Sequence, residues 1–363
     1  YRNSHLWVFL CLPLAGIVIV FMYERLGRQD GGTNQVLSTI KSKDNVPFIS
    51  APLIFISTLL THLTGGSAGR EGASIQFGGS IGSWLDETDH HVMIMCGMSA
   101  AFAAVFGTPM AAAVFAMEVV SVGVMYYAAL LPCVIASIIA AEFATGVGLN
   151  PETFPVARIP QLSLESGLKM AVIAAGCGLL SILFCVALKA VSGIYGKYLK
   201  NPYLRVCVAG CLVIGITMLL GTGDYMGAGN ELIAKAVEQG KARPLDFLWK
   251  MILTAITMRA GYRGGEIVPA FSVGATFGCV AGGLLGFSPE VAAAASMVAL
   301  FCGVTNCPIA SMLISFELFG FSGAAYYLIA ISISYALSGY YSLYKDQTIV
   351  YSKYKARYIN KKT

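Results

Sequence analysis

The sequence predicts an all-α protein that crosses a membrane many times. Charged residues make up 12% and hydrophobic residues 56% of its 363 residues, whereas a soluble chain carries about 25% charge. Mean hydropathy is +0.71. Apolar stretches of membrane-spanning length recur along the chain, which implies helices rather than a barrel. Glycine-interrupted stretches with charged residues also recur in matching places of the two halves, a pattern that points to a transporter with its site between repeats.

In chain order, Leu6 to Tyr23 reads as an apolar helix closed by Glu24, Arg25 and Arg28. Asp30-Gly31-Gly32-Thr33-Asn34 is a turn opening a short pattern, a potential anion cradle with side-chain donors on Thr33 and Asn34. Phe48 to Leu63 is the next apolar run, and His62 near its end reads as a packed residue. Val92 to Val124 is apolar apart from Glu118 and is broken at Gly107-Thr108-Pro109. Spans follow at Tyr126 to Val147, Gly167 to Ser192 and Val206 to Leu220. Then come Leu245 to Met258, Phe271 to Leu285, Glu290 to Val304, Ile309 to Phe319 and Ala324 to Leu337.

Between Phe48–Leu63 and the helical pattern Ala73–Leu85 lies Gly65-Gly66-Ser67-Ala68-Gly69-Arg70-Glu71-Gly72. Ionisable residues at membrane depth are expensive and mark functional sites. A helix starting here aims unpaired N–H groups, and the positive end of its dipole, at whatever lies in front. That favours an anion. Glu71 is then a tethered anion beside the place a free one would take. It can compete with a transported anion and carry a proton when displaced. The plainer alternative is a capping or salt-bridged Glu–Arg pair.

The halves match at a fixed offset. Met98/Met297, Phe102/Phe301, Pro109/Pro308, Ala111/Ala310 and Glu118/Glu317 all lie 199 positions apart. Upstream, Gly69-Arg70-Glu71 is echoed by Arg263-Gly264-Gly265-Glu266, with the glutamates 195 apart. Residue order alone leaves open whether the repeats are parallel or inverted.

The motif GREG at Gly69 to Gly72, the breaks at Pro109 and Pro308, Gly265 to Pro269, and Leu343-Tyr344 together resemble the CLC family of chloride channels and anion/proton antiporters. The resemblance covers nearly the whole chain. It implies a CLC-type fold of two inverted repeats of broken and tilted helices, and a homodimer with an anion pathway in each subunit. Glu71 matches the family's gating glutamate and Tyr344 its central tyrosine. Arg70, Gly72 and the backbone around Gly31, Gly32, Thr33 and Asn34, and from Glu266 through Ile267 and Val268, match the anion-binding walls. Three departures resemble the fluoride/proton antiporter branch. The chloride-type serine motif is replaced by Asp30 to Asn34, Val119 stands where an internal proton-transfer glutamate would be, and Glu266 adds a second carboxylate. Glu266 is read either as a second proton-transfer group or as a helix cap.

The organisation expected is therefore a first membrane repeat over residues 1–150, a second over 151–340, and a terminal helix with a basic tail over 341–363. Tyr1 in place of Met suggests a missing N-terminal piece, including the family's first helices. The basic tail, Lys353 to Lys362, is read as cytoplasmic and not as a nucleic-acid site, which makes this a multi-pass plasma-membrane protein. The function expected is export of fluoride in exchange for protons, gated by Glu71. The alternatives are a chloride/proton antiporter and a passive chloride channel. No catalytic dyad, nucleophile elbow or phosphate loop suggests an enzyme, and no cofactor is implied. The ten cysteines lack metal-site spacing. Asp86 to His91 reads as a solvated loop rather than a metal site.

Overall fold

The computed structural model describes residues 6–26, 31–42, 45–85 and 89–362. Arg28, Asp30 and 86–88, singled out above, lie outside them. A 3-10 turn, Leu6–Cys11, leads into α1 (Leu12–Leu26), followed by α2 (Thr33–Thr39), α3 (Ser50–Leu63), α4 (Glu71–Trp84), α5 (His90–Phe106) and α6 (Pro109–Glu118). A two-residue strand, β1 (Ser121–Val122), precedes α7 (Leu130–Gly146) and α8 (Leu164–Tyr198). The second half continues as α9 (Pro202–Leu220), α10 (Asn230–Gln239), α11 (Asp246–Ala260), α12 (Ile267–Leu284), α13 (Pro289–Thr305), α14 (Pro308–Phe319) and α15 (Ala324–Leu337). It ends in β2 (Thr348–Tyr351) and β3 (Tyr358–Lys362).

Among the described residues, five stretches are long and apolar enough to cross a bilayer: Trp7–Leu26, Tyr127–Gly146, Leu164–Tyr198, Pro202–Leu220 and Ile267–Leu284. The 35 residues of α8 span roughly 50 Å at 1.5 Å per residue, longer than a bilayer core of about 30 Å, so this helix tilts or projects beyond it. Several other helices are too short to span. Their ends fall inside the protein, where neighbouring segments must satisfy the freed backbone groups.

The breaks have the same geometry in both halves. α5 ends on Gly107 (φ 71°, ψ 26°) and α13 on Asn306 (φ 60°, ψ 33°), both left-handed. The next residues, Thr108 (φ −119°, ψ 74°) and Cys307 (φ −115°, ψ 75°), are nearly superimposable in conformation. Proline then opens each new helix, where its missing N–H is not needed. The 199-residue offset is thus a repeat of backbone as well as of sequence. The glycine-rich stretches correct the other offset. The caps of α4 and α12 are Arg70 (φ −104°, ψ −11°) and Glu266 (φ −104°, ψ −8°). The equivalent of Glu71 is therefore Ile267, at an offset of 196, and the two glutamates are not counterparts.

Small residues let the helices approach closely, as membrane packing requires. A Cβ on Gly78 would run into the Gly97 carbonyl where α4 crosses α5, and one on Gly278 into the Ala292 carbonyl where α12 crosses α13. Phe102, Phe106, Phe115, Phe271 and Phe301 fill the seam between the halves, with Phe115–Phe301 centroids 5.8 Å apart and Phe271–Phe301 5.1 Å apart.

The expected terminal helix is absent among the described residues of the tail. β2 pairs in parallel with β1 (Ser121 with Thr348, Val122 with Ile349) and antiparallel with β3 (Thr348 with Lys362). The run Thr348-Ile349-Val350-Tyr351 is β-branched and aromatic, which suits a strand better than a helix. Gln347 anchors it by donating to the carbonyls of Val119 (2.9 Å) and Thr305 (2.7 Å), one from each half. Lys353 donates to Asn306 Oδ1 and to Ser338 Oγ.

Candidate functional site

The loops before α4 and α12 meet as an isolated antiparallel bridge between Gly69 and Gly265. The Gly69 N–H donates to the Gly265 carbonyl at 2.7 Å, and the Gly265 N–H to the Gly69 carbonyl at 2.5 Å. Both helices therefore begin at one place, each presenting its positive end. Glycine is required here by close approach. A Cβ on Gly69 would strike the Glu71 carboxylate, and a Cβ on Gly265 would meet the Gly72 nitrogen at 2.5 Å.

Glu71, the first residue of α4, is 1% exposed. Its carboxylate curls back against the backbone amides of Arg70 and Glu71, and its Oε2 has no hydrogen-bond partner. The residues on either side of it open into different cavities. Arg70 lines one of about 430 Å³, with Phe9, His62, Met226 and Asn230. Gly72 lines another of about 170 Å³, with Gly31 to Asn34, Gln76, Arg259, Arg263, Glu266, Ile267 and Tyr344. Glu71 stands between those two residues, buried, and lines neither cavity.

The smaller cavity gathers Gly31, Gly32, Thr33, Asn34, Gly72, Glu266, Ile267 and Tyr344 from the sequence reading, while Val268 lies buried one residue into α12. Only Arg70 falls on the far side. The cradle at Gly31 to Asn34 differs in detail from expectation. The Thr33 hydroxyl donates to the Gly72 carbonyl (3.1 Å), and the Asn34 side chain accepts from the Lys345 N–H (2.9 Å). These polar groups tie α2 to α4 and to the segment after α15. The Tyr344 N–H is held by Ser342 Oγ at 3.1 Å.

Arg70 does not pair with Glu71. Its Nη2 lies 2.8 Å from Glu152 Oε1. Glu266 makes no side-chain cap; its Oε1 lies 2.5 Å from Arg259 Nη2. The two caps thus carry ion pairs of opposite sense. The cation belongs to the cap at Arg70, and the anion to the cap at Glu266.

Four groups were missed in reading the sequence. Arg259 and Arg263 enter the cavity from the segment before α12, and Arg263 stacks 3.9 Å from the Tyr23 ring centroid. Their signal was present, since both flank the second glycine stretch. Gln76 follows Gly72 by one turn of α4 and shares its face. Lys250, fully buried, donates to Ser67 Oγ (3.1 Å) and to the carbonyls of Tyr225 (3.0 Å) and Gly227 (2.7 Å), bracing the loop that carries Glu71. A lone lysine in an apolar helix gave no indication of those partners.

A helical membrane protein whose half-helices converge on a buried carboxylate is one class of ion-pathway protein. Residues 15–339 match the family described as voltage gated chloride channel. The chain belongs to that family, the CLC proteins. It is 34% identical over 370 residues to the "Chloride/fluoride channel protein" of Pseudomonas syringae pv. tomato, covering 98% of this chain and 81% of that one. The crystal structure of a CLC-type fluoride/proton antiporter is similar at a TM-score of 0.91 and 32% identity, over 95% of this chain and 90% of the other. A slow cyanobacterial Cl−/H+ antiporter, 18% identical, shares the fold at a TM-score of 0.77 over 93% of this chain and 84% of its own.

Proposed function

We propose that the protein exchanges fluoride for protons, with Glu71 as both gate and proton carrier. The observation that carries this reading is the placement of the buried Glu71 between Arg70, which lines one cavity, and Gly72, which lines the other. A carboxylate seated there excludes an anion by charge. Once protonated it loses that charge and can give way, so anion and proton movement are coupled through one side chain. The similarity to a fluoride/proton antiporter supports fluoride as the anion. Fluoride is small and holds water tightly, so it needs strong donors in exchange. The amide ends of α4 and α12, with Arg259 and Arg263, supply such donors along the smaller cavity.

Glu266 serves as the second proton group, released from Arg259 when an anion takes its place at the guanidinium. Gly31, Gly32, Thr33, Asn34, Arg70, Gly72, Ile267, Val268 and Tyr344 form the walls of the pathway. The active form is a homodimer. The face of α7 that carries Leu131, Ile135, Ile139 and Phe143 is exposed and apolar, as a lipid-facing or subunit-facing surface must be. The membrane repeats divide near residue 150, and the basic C-terminus faces the cytoplasm.

Proteoliposomes loaded with fluoride or chloride, with external pH recorded, test the reading. Fluoride efflux accompanied by proton uptake, with little chloride movement, is the expected result. Chloride moving as well as fluoride would replace the anion assignment. Anion movement without protons would replace antiport by a passive channel.

A further inference from the structure

The loop between α7 and α8, which joins the two halves, brings Glu152 to Arg70 and Asn230, two residues that line the larger cavity. The loop is pinned on both sides of that residue. The Glu152 N–H donates to the Phe106 carbonyl at the end of α5 (3.2 Å), and the Phe154 N–H to the Leu318 carbonyl in α14 (3.0 Å). The carboxylate is thus presented rather than left to wander. Its Oε1 receives Arg70 Nη2 at 2.8 Å and Asn230 Nδ2, from the start of α10, at 3.1 Å. The Glu152 side chain is 19% exposed, and its charge acts on that of Glu71.

We propose that Glu152 is a positioning residue for the gate, holding the Arg70 guanidinium away from Glu71 and so setting the pH at which Glu71 exchanges its proton. This rests on the antiport reading above. Arg70 precedes Glu71 directly, and Glu71 Oε2 has no partner. A guanidinium released from Glu152 has two buried oxygens without a partner to turn to, Asn230 Oδ1 and Glu71 Oε2, and of these only the carboxylate of Glu71 can carry a charge. Pairing there would hold Glu71 ionised and seated, which closes the path to anion and proton alike. Glu152 prevents it in two ways: it occupies Arg70, and its own negative charge disfavours a second carboxylate charge nearby.

The other charged groups around this site are accounted for. His62 of α3, Asp224 and Glu231 line the same cavity. Asp224 is held by Lys235 at 3.0 Å and Arg243 at 3.2 Å. Glu317, on the helix packed against the linker, is directed at the amides of Met110 and Ala111. The reversed pair at the opposite cap, Glu266–Arg259, leaves Arg70–Glu152 as the charge pair next to Glu71 on the larger-cavity side.

The test is the pH profile of fluoride-coupled proton uptake in proteoliposomes of Glu152→Gln and Arg70→Met. Glu152→Gln frees Arg70 and removes the repelling charge, so its activity midpoint is expected to move to lower pH by about one unit or more. Arg70→Met removes the cation and leaves Glu152 bare, so its midpoint is expected to move to higher pH. Glu152→Asp should lie near wild type. Opposite shifts cannot come from a common folding defect. Rates that fall at unchanged midpoints, or shifts in the same direction, would overturn the proposal. Wild-type vesicles that move no protons would overturn the antiport reading itself, before the variants are compared.

Discussion

Glu118 and Glu317 close each other's helices. Glu118 accepts the Ile309 and Ala310 N–H groups at 3.1 and 2.8 Å, at the start of α14. Glu317 accepts the Met110 and Ala111 N–H groups, each at 2.9 Å, at the start of α6. The last residue of α6 thus satisfies the first turn of α14, while Glu317, near the end of α14, satisfies the first turn of α6. The exchange is reciprocal, as a twofold relation between the two halves would make it, and it satisfies two helices that start inside the protein.

Replacing either glutamate with alanine should therefore destabilise the protein. Each leaves two helix-start amides without a carboxylate, and loss of a helix cap costs about 0.5–2 kcal/mol. The midpoint of thermal unfolding in detergent is expected to fall for Glu118→Ala and for Glu317→Ala by similar amounts. A variant that melts like wild type would show that water or a neighbour replaces the cap.

Glu71→Gln should separate anion movement from proton movement. A neutral amide cannot carry the proton, and it no longer repels an anion. Fluoride flux is expected to persist while the pH trace stays flat. Coupled proton uptake at the wild-type rate would remove Glu71 from its proposed role.

Arg259→Met should be more damaging than its partial exposure suggests. Glu266, 15% exposed, would be left charged without its partner, and breaking such a pair costs up to about 3–5 kcal/mol for a buried one. The double substitution Arg259→Met, Glu266→Gln should recover much of the lost stability but not fluoride transport. Full transport in the double variant would mean that the smaller cavity does not handle the anion.

Gly69→Ala tests the seat of the carboxylate. The added Cβ would occupy the space taken by the Glu71 side chain, so the gate cannot close fully. Fluoride leak through vesicles in the absence of a pH gradient should rise. An unaltered leak would mean that the carboxylate seals the path in some other position.

Much of this was legible in the residue order. Gly69-Arg70-Glu71-Gly72 marked the start of α4 because charge and glycine interrupt an apolar run, and Pro109 and Pro308 marked the breaks because proline favours the first turn. The partners of Arg70 and Glu266 were not legible. Glu152 lies 82 residues from Arg70 in a linker without periodicity, and only the folded chain brings them together. The pairing of Glu71 with Glu266 as counterparts failed for a related reason. Like residues in like loops suggested equivalence, but the backbone aligns Glu266 with Arg70. The tail misled in another way: its basic residues drew attention to topology and away from the strand-forming run at Thr348.

The Gly69–Gly265 bridge bears on how the proposed transport would move the protein. Two hydrogen bonds pin the halves together beside the proposed gate, so a seesaw of one half against the other would first have to break them. Such a device resembles a canal lock with masonry walls, in which only the sluice moves. Exposed side chains turn within nanoseconds while whole-domain swings take microseconds or longer, and a buried gate at Glu71 moves far less of the chain than a swinging domain. The tempo of transport would then be set by how often a proton arrives, and not by how fast the protein can change shape.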